Sequence, residues 1–329
     1  MNELREVGII GTGHYVPERS MTNHDFEKFL ETSDEWITQR TGIRARRIAA
    51  DDQACSDLCV IAAERALDDA GIDASEIDLI IVATVTPDYL LPNTACFVQN
   101  RIGAVNAGGW DIANACTGFL SAMMSARGLI ASGNIRTALV IGAEKLSSIL
   151  NWQDRTSAIL FGDGAGAMIL RADAPDGRIL FTDSGLDGAQ WDVIQRPAGG
   201  SREPLTHEII EERRHLMSIR GNEVFKFAVR KFRTLIKGSL EQTGHGIDDL
   251  TLVVPHQVNQ RIIEAAIDAL AIDLDRVYVN LDRFGNTSAA SVPIAFDEVK
   301  RAGRLNKGDL ISMVAFGSGL AWGSALVRW

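Results

Sequence analysis

The chain has 329 residues, enough for one large domain or two packed halves, and 46% of them are apolar, ample for a sizeable core. A formal net charge of −10 excludes nucleic-acid binding by broad phosphate neutralisation. The cysteines at 55, 59, 96 and 116 form no disulfide framework, and no histidine has metal-ligand spacing. Charges sit where a signal peptide would need an apolar core, and no apolar run approaches the ~20 residues of a membrane helix. These features imply a soluble, cytosolic protein with no metal, no membrane contact and no nucleic-acid partner.

In chain order, short apolar runs bounded by Gly, Pro or Asp alternate with longer helical patterns. Val7–Ile10, Leu79–Thr84, Ala138–Gly142, Ala165–Leu170, Leu252–Val254 and Leu310–Ala315 predict strands. Ser56–Ala70 places Leu58, Ile61, Ala62, Leu67 and Ala70 near helical spacing and stops at Gly71. Thr117–Ala131 is apolar on nearly every face and ends at Gly133, the pattern of a helix buried on all sides. The alternation predicts α/β layers around a largely parallel sheet. Arg196–Glu212, rich in Gly, Pro and charge, reads as a surface excursion, and Phe225–Lys237 as a helix with a basic face. The order of elements begins again after about residue 175, which suggests two halves, 1–175 and 176–329.

Two glycine motifs carry no nucleotide chemistry. Gly11-Thr-Gly13 lacks the third glycine of a dinucleotide fingerprint, and Pro17 follows where a helix should begin. Gly162-Asp-Gly164-Ala-Gly166 leads into a strand, so it lacks the helix N-terminus of a phosphate cradle and reads as close packing on a sheet.

Four other segments carry candidate chemistry. In Asp111-Ile-Ala-Asn-Ala-Cys116-Thr-Gly-Phe, a strand-like run meets a cysteine where the buried helix begins. The N–H groups of a helix start favour thiolate over thiol, which would make Cys116 a nucleophile for thioester exchange. An ordinary buried cysteine is the equally weighted alternative. His256, in Val253-Val-Pro-His256-Gln-Val-Asn259, follows a strand and is placed to point into a cleft, although a lone histidine there is more often a cap or a surface group. In Arg283-Phe-Gly285-Asn286-Thr-Ser-Ala-Ala-Ser291, small residues let Asn286 sit on a tight turn before a helix. Ala315-Phe-Gly317-Ser318-Gly319-Leu-Ala-Trp-Gly323 is a glycine-rich connection between two strands, either a simple hairpin or a backbone N–H presented to an oxyanion.

Taken in this order, the four segments resemble the β-ketoacyl-acyl-carrier-protein synthase III family. The likeness spans essentially the whole chain. It includes Thr32-Ser-Asp-Glu-Trp36-Ile, Arg40-Thr-Gly-Ile-Arg44, Asp154-Arg155, Phe161-Gly-Asp-Gly-Ala-Gly166, Gly221-Asn-Glu-Val-Phe225-Lys and Gly285-Asn-Thr-Ser-Ala-Ala-Ser291.

The resemblance implies a duplicated five-layer α-β-α-β-α fold of the thiolase type, assembled as a homodimer. It implies a Cys116, His256 and Asn286 triad, with an oxyanion hole from the backbone N–H groups of Cys116 and Ser318. Coenzyme A would be bound by Thr32, Trp36, Arg40, Arg155, Gly221, Phe225 and Asn259. The acyl pocket would involve Val85, Leu91, Leu146 and Phe316, with Leu91 where the dimer partner usually closes it. Lys226 and Arg261 would receive an acidic carrier protein, with Arg230, Lys231, Arg233 and Lys237 as further basic residues. The implied reaction is decarboxylative condensation of a short acyl-CoA with malonyl-acyl-carrier protein through an acyl-Cys116 intermediate, with no cofactor beyond the substrate thioester. A specialised synthase of secondary metabolism, or of a biotin precursor, or an acyltransferase would use the same triad. A catalytically silent scaffold is the third possibility, and retention of all three catalytic residue types counts against it.

Residue types also separate the chain from its relatives. No cysteine follows Cys116, where a thiolase would place its second, and no histidine follows His256, where an elongating synthase would have another. A Cys-His-Asn set lacks a strong base for carbon deprotonation but offers two neutral donors, which suits an enolate made by loss of carbon dioxide. The chain departs from the pattern at Ser318, usually glycine, at Asn114, usually small, and at Asp268-Ala269, where some members carry lysines.

Overall fold

In the computed structural model, which describes residues 4–329 apart from the Asn222 side chain, nine strands form one mixed sheet system. They are β1 (Val7–Tyr15), β2 (Leu79–Ala83), β3 (Gly108–Ile112), β4 (Thr137–Glu144), β5 (Gly164–Ala172), β6 (Arg178–Leu186), β7 (Leu252–Pro255), β8 (Leu310–Gly317) and β9 (Ala321–Arg328). Their spatial order is β7-β8-β9-β6-β1-β5-β4-β2-β3. The helices that matter below are α1 (Asp34–Thr41), α2 (Cys55–Ala70), α3 (Thr94–Ile102), α4 (Gly118–Ala131), α5 (Gly221–Thr243), α6 (Gln260–Asp268) and α7 (Ser291–Arg301).

The two ends of the sheet repeat one plan. β1 is antiparallel to β5, β5 antiparallel to β4, and β2 lies parallel between β4 and β3. Likewise β6 is antiparallel to β9, β9 antiparallel to β8, and β7 is parallel to β8 and, through Val253 and Val277, to one further extended residue. A single residue pair, Gly8 with Arg178, joins β1 to β6.

Strand alternation turns this into five layers. Leu79, Ile81 and Ala83 of β2 face one apolar cluster, while Ile80 and Val82 face another. The first cluster holds α4 and α7 between the halves, with Val254, Ile311 and Met313 contributed from the far side. The second covers the outer face of the first half with α2 and α3, and a third covers the second half with α5 and α6. Each large aliphatic side chain sealed in these clusters contributes roughly 1.5–3 kcal/mol.

Every predicted strand lies within or largely overlaps an observed one, and the Ser56–Ala70 helix forms as Cys55–Ala70. The sheet, however, is mixed rather than largely parallel. β4 to β5 and β8 to β9 follow one another without an intervening α-helix and pair antiparallel, while β5 leads by a short connection to β6 with β1 lying between them in the sheet. α4 is buried on most faces but leaves Met124 exposed.

The rejected glycine motifs are packing devices. Gly11 and Gly13 lie inside β1, where a Cβ would strike the backbone of α2. Gly142 of β4 faces the Ala289 carbonyl just ahead of α7, with no room for a Cβ. Gly142→Ala is therefore expected to destabilise the fold by about 1–3 kcal/mol. A denaturant midpoint lowered at constant slope would register this, whereas an unchanged midpoint would show that the two elements separate freely.

Candidate active site

α4 and α7 enter the middle layer through the same local device. Ala115, at φ 44°, opens a single 3-10 turn, Ala115–Thr117, that runs straight into α4. Ser288, at φ 49°, opens the turn Ser288–Ala290, which runs straight into α7. Left-handed backbone in a non-glycine residue costs on the order of 1–2 kcal/mol, and here it occurs in both turns. By position in this device Cys116 corresponds to Ala289. The two helix starts converge, and a Cβ on Gly118 would stand 3.6 Å from the Ala289 side chain.

Cys116, Asn286, Ser288 and His256 thus reach one cavity of about 320 Å³, whose exposed lining is mostly apolar. His256 is delivered by β7, its N–H donating to the Val314 carbonyl of β8 at 2.7 Å. Its ring stands edge-on to Phe316, and Nδ1 lies 2.7 Å from the Ser291 hydroxyl at the start of α7. Nε2 has no partner and faces the cavity. Asn286 is oriented by the Ser288 N–H, which donates to its Oδ1 at 2.8 Å and so leaves the Nδ2 donors for the cavity.

Burial sets the charge states. It pushes the His256 imidazole down to about 3, so the ring is neutral at neutral pH. The Cys116 thiol is pushed up to about 12, chiefly by burial, with a smaller push from nearby Glu144, partly opposed by the Ser288 hydroxyl. The resting sulfur is therefore a thiol, contrary to the thiolate expected from the helix start. Its accessible surface opens onto the apolar cavity rather than bulk water, and that desolvation opposes the thiolate.

Gly317 packs on the nucleophile, where a Cβ would lie 2.8 Å from Cys116 Cβ and 3.1 Å from its N. The hairpin reading of this segment holds, since β8 and β9 pair from Gly317 with Ala321 onward. Ser318 does not narrow the oxyanion side, because its hydroxyl turns away and donates to the Ile194 carbonyl at 2.5 Å. Asn114 braces the turn before α4, donating to the Ser121 hydroxyl at 2.8 Å.

The remaining expected residues divide. Val85, Leu146, Phe316, Gly221 and Asn259 line the cavity. Asn259 also caps α6 and donates to the Arg40 carbonyl at 3.1 Å. Trp36, Arg40 and Arg155 form a separate cluster, with the guanidinium carbons 5.5 and 5.1 Å from the Trp36 ring centre. Thr32 Oγ1 is buried without a partner.

Phe225 is not a wall of the cavity. It faces outward into a groove on α5 with Lys226, Arg230, Arg233 and Lys237, while its neighbour Val224 points inward. Leu91 is 87% exposed and also absent from the cavity, because the loop that carries it projects from the surface of this single chain. Lys226 and Arg261 occupy different grooves, the latter with Arg44 and Glu264. Lys231 packs over the Trp322 ring at 3.1 Å and is not part of the basic groove.

Sequence reasoning missed one wall. The segment taken as a surface excursion begins at the cavity, which Ile194, Gln195 and Arg196 line together with Met217 and Ile219. Its short pairing, Ile194–Gln195 with Ser218–Ile219, is too brief to leave a periodic signal.

The comparisons agree with this geometry across the chain. Residues 110–188 match the model for 3-oxoacyl-[acyl-carrier-protein] synthase III, and residues 240–329 match the model for its C-terminal part. A β-ketoacyl-[acyl-carrier-protein] synthase III of Desulfitobacterium hafniense is 50% identical over 323 residues, 98% of both chains. The chain belongs to the β-ketoacyl-acyl-carrier-protein synthase III family. A solved synthase III from Aquifex aeolicus superposes with a TM-score of 0.91 at 41% identity, covering 98% of this chain and 100% of that one. The priming β-ketosynthase of the R1128 polyketide pathway also gives 0.91, at 34% identity, covering 100% and 98%. The thiolase-like fold expected from the synthase III resemblance is thus the fold found.

The neutral state of His256 has a consequence for stability. Its folded-state pKa lies below its unfolded value near 6.5, so the unfolded chain binds the extra proton first as pH falls. The contribution is complete above pH 6.5 and is lost on acidification, by ~2 kcal/mol at pH 5. His256→Gln is expected to remove that part of the acid dependence, measured as the difference between the two proteins' unfolding free energies from pH 7.5 to 5. Parallel curves would contradict it.

Proposed function

We propose that this chain condenses a short acyl-CoA with malonyl-acyl-carrier protein through an acyl-Cys116 intermediate, the step that initiates fatty-acid synthesis. The observation that supports this best is the meeting of a thiol and two neutral donors, His256 Nε2 and Asn286 Nδ2, at one apolar cavity. Cys116 attacks the thioester, and the N–H groups of Cys116 and Ser318 hold the oxyanion. Coenzyme A leaves and the malonyl thioester enters. With the Ser291 hydroxyl donating to Nδ1, His256 keeps its hydrogen on Nε2 and donates it, with Asn286, to the malonyl thioester oxygen. Loss of carbon dioxide then generates the enolate without a strong base, and its carbon attacks acyl-Cys116. A neutral imidazole suits a donor that must remain in place while negative charge develops.

Trp36, flanked by Arg40 and Arg155, offers an aromatic face and two cations for the adenine and phosphates of coenzyme A. Asn259 and Gly221 lie between that cluster and Cys116 in function, as the lining for the pantetheine arm. The basic groove at Lys226, Arg230, Arg233 and Lys237 suits an acidic carrier protein. A homodimer is supported by the unpaired edge of β3, where Trp110 is exposed, and by the exposed loop residues Tyr89, Leu90 and Leu91. Among the described residues, no helix is long and apolar enough to cross a membrane.

Intact mass after incubation with a panel of acyl-CoA thioesters should show one acyl adduct, absent in Cys116→Ala, and discharged by malonyl-acyl-carrier protein with release of carbon dioxide. Discharge to a different nucleophile would assign the chain to a specialised pathway, and no adduct from any thioester would overturn the condensing reading. Arg155→Ala should raise KM for acyl-CoA about tenfold, corresponding to the loss of ~1.4 kcal/mol of binding, with kcat little changed. An unchanged KM would remove Arg155 from the coenzyme A site.

A further inference from the structure

Behind the nucleophile lies a buried carboxylate that the reaction as described does not use. Glu144 ends β4 and is fully buried. The hydroxyls of Thr84 and Thr86 and the N–H of Val85 donate to Oε2, at 3.2, 2.6 and 3.1 Å. The Ser288 hydroxyl donates to Oε1 at 3.2 Å, and Ser288 lines the same cavity as Cys116 from the adjoining turn. Among the described residues no charged side chain faces the carboxylate. Lys145, next in the chain, turns its ammonium away to the carbonyls of Ala50 and Gln53. The titratable groups around it are the thiols of Cys116 and, through Thr84, Cys55. A carboxylate is costly to bury without a cation beside it, and the Ser288 hydroxyl that donates to it belongs to a residue that also lines the Cys116 cavity.

We propose that Ser288 and Glu144 form a proton relay that takes the Cys116 proton as the sulfur is acylated and returns it when the sulfur is released in the condensation. This rests on the acyl-Cys116 reading above. In the first half-reaction the C–S bond to Cys116 forms as the thiol proton passes to Ser288 Oγ and the Ser288 proton to Glu144 Oε1. The C–S bond to coenzyme A breaks, and coenzyme A leaves as a thiolate that takes a proton from solvent. In the second, malonyl loses carbon dioxide, the new carbon–carbon bond forms, and Cys116 departs as a thiolate. The Glu144 proton returns to it through Ser288. One turnover consumes one solvent proton, and the enzyme ends as it began.

The alternative acceptor at the cavity is His256, which is the weaker base. Its imidazole is held near 3, whereas burial pushes the Glu144 carboxyl up to about 7, the position of a group that can both accept and return a proton at neutral pH. The sulfur's own proton is held to about 12, so transfer is completed only as the new C–S bond forms.

The test is the rate of acyl loading, read as adduct mass against time from pH 5.5 to 9, for the wild type, Glu144→Gln and Ser288→Ala, with melting temperatures recorded. The wild type should load with a rise centred near pH 7. Both variants should load ~100-fold more slowly at neutral pH and lose that rise, with KM for acyl-CoA unchanged. If Glu144→Gln does not fold, Ser288→Ala carries the test, since it leaves the carboxylate in place and cuts only the path. Loading by either folded variant at the wild-type rate and with the wild-type pH profile overturns the relay, while failure of the wild type itself to load would instead overturn the condensing reading.

Discussion

The close approach of two buried helix starts is the constraint on which the rest of this structure depends. α4 and α7 occupy the same layer between two sheet halves of the same topology, and their first turns must nearly touch for Cys116 to meet Asn286 and Ser288. That contact accounts for the small residues around it, Gly118, Gly142, Ala289, Ala290 and Gly317, none of which has chemistry of its own. It also accounts for the left-handed Ala115 and Ser288, whose strain is sustained by the packed layer beneath them. His256 joins from β7 because that strand ends at the same level.

A second consequence is electrical. Bringing the groups together inside an apolar cavity removes the water that would stabilise the charged forms of the thiol and the imidazole, so both rest neutral beside an amide that carries no charge. This is a different solution from a thiolate–imidazolium pair. It leaves donors where negative charge will develop, and it leaves the thiol proton to be moved during the reaction rather than before it.

Much of this was legible in the sequence, for identifiable reasons. Gly162-Asp-Gly164-Ala-Gly166 was readable as packing because the chain continues as strand, and Gly11-Thr-Gly13 was readable as no nucleotide motif because its third glycine is missing and Pro17 follows. Cys116, His256 and Asn286 could be singled out because each sits at an abrupt change from strand or turn to helix. Three things were not legible. The Cys116 thiol is favoured by desolvation, a property of the assembled cavity that no local pattern encodes. The cavity wall at Ile194–Arg196 is formed by a segment with too little regular structure to show a period. Phe225 and Val224 are neighbours on one helix, and only the packing of α5 decides which faces inward.

The central claim is that condensation proceeds from a neutral, donating His256. It is tested most directly by nitrogen-15 NMR of the histidine rings from pH 4.5 to 8, with His256→Gln providing the assignment. The account predicts that His256 does not titrate above pH 5 and carries its hydrogen on Nε2 throughout. A His256 signal that becomes doubly protonated near pH 6.5, or that is already an imidazolium at pH 7, would contradict it.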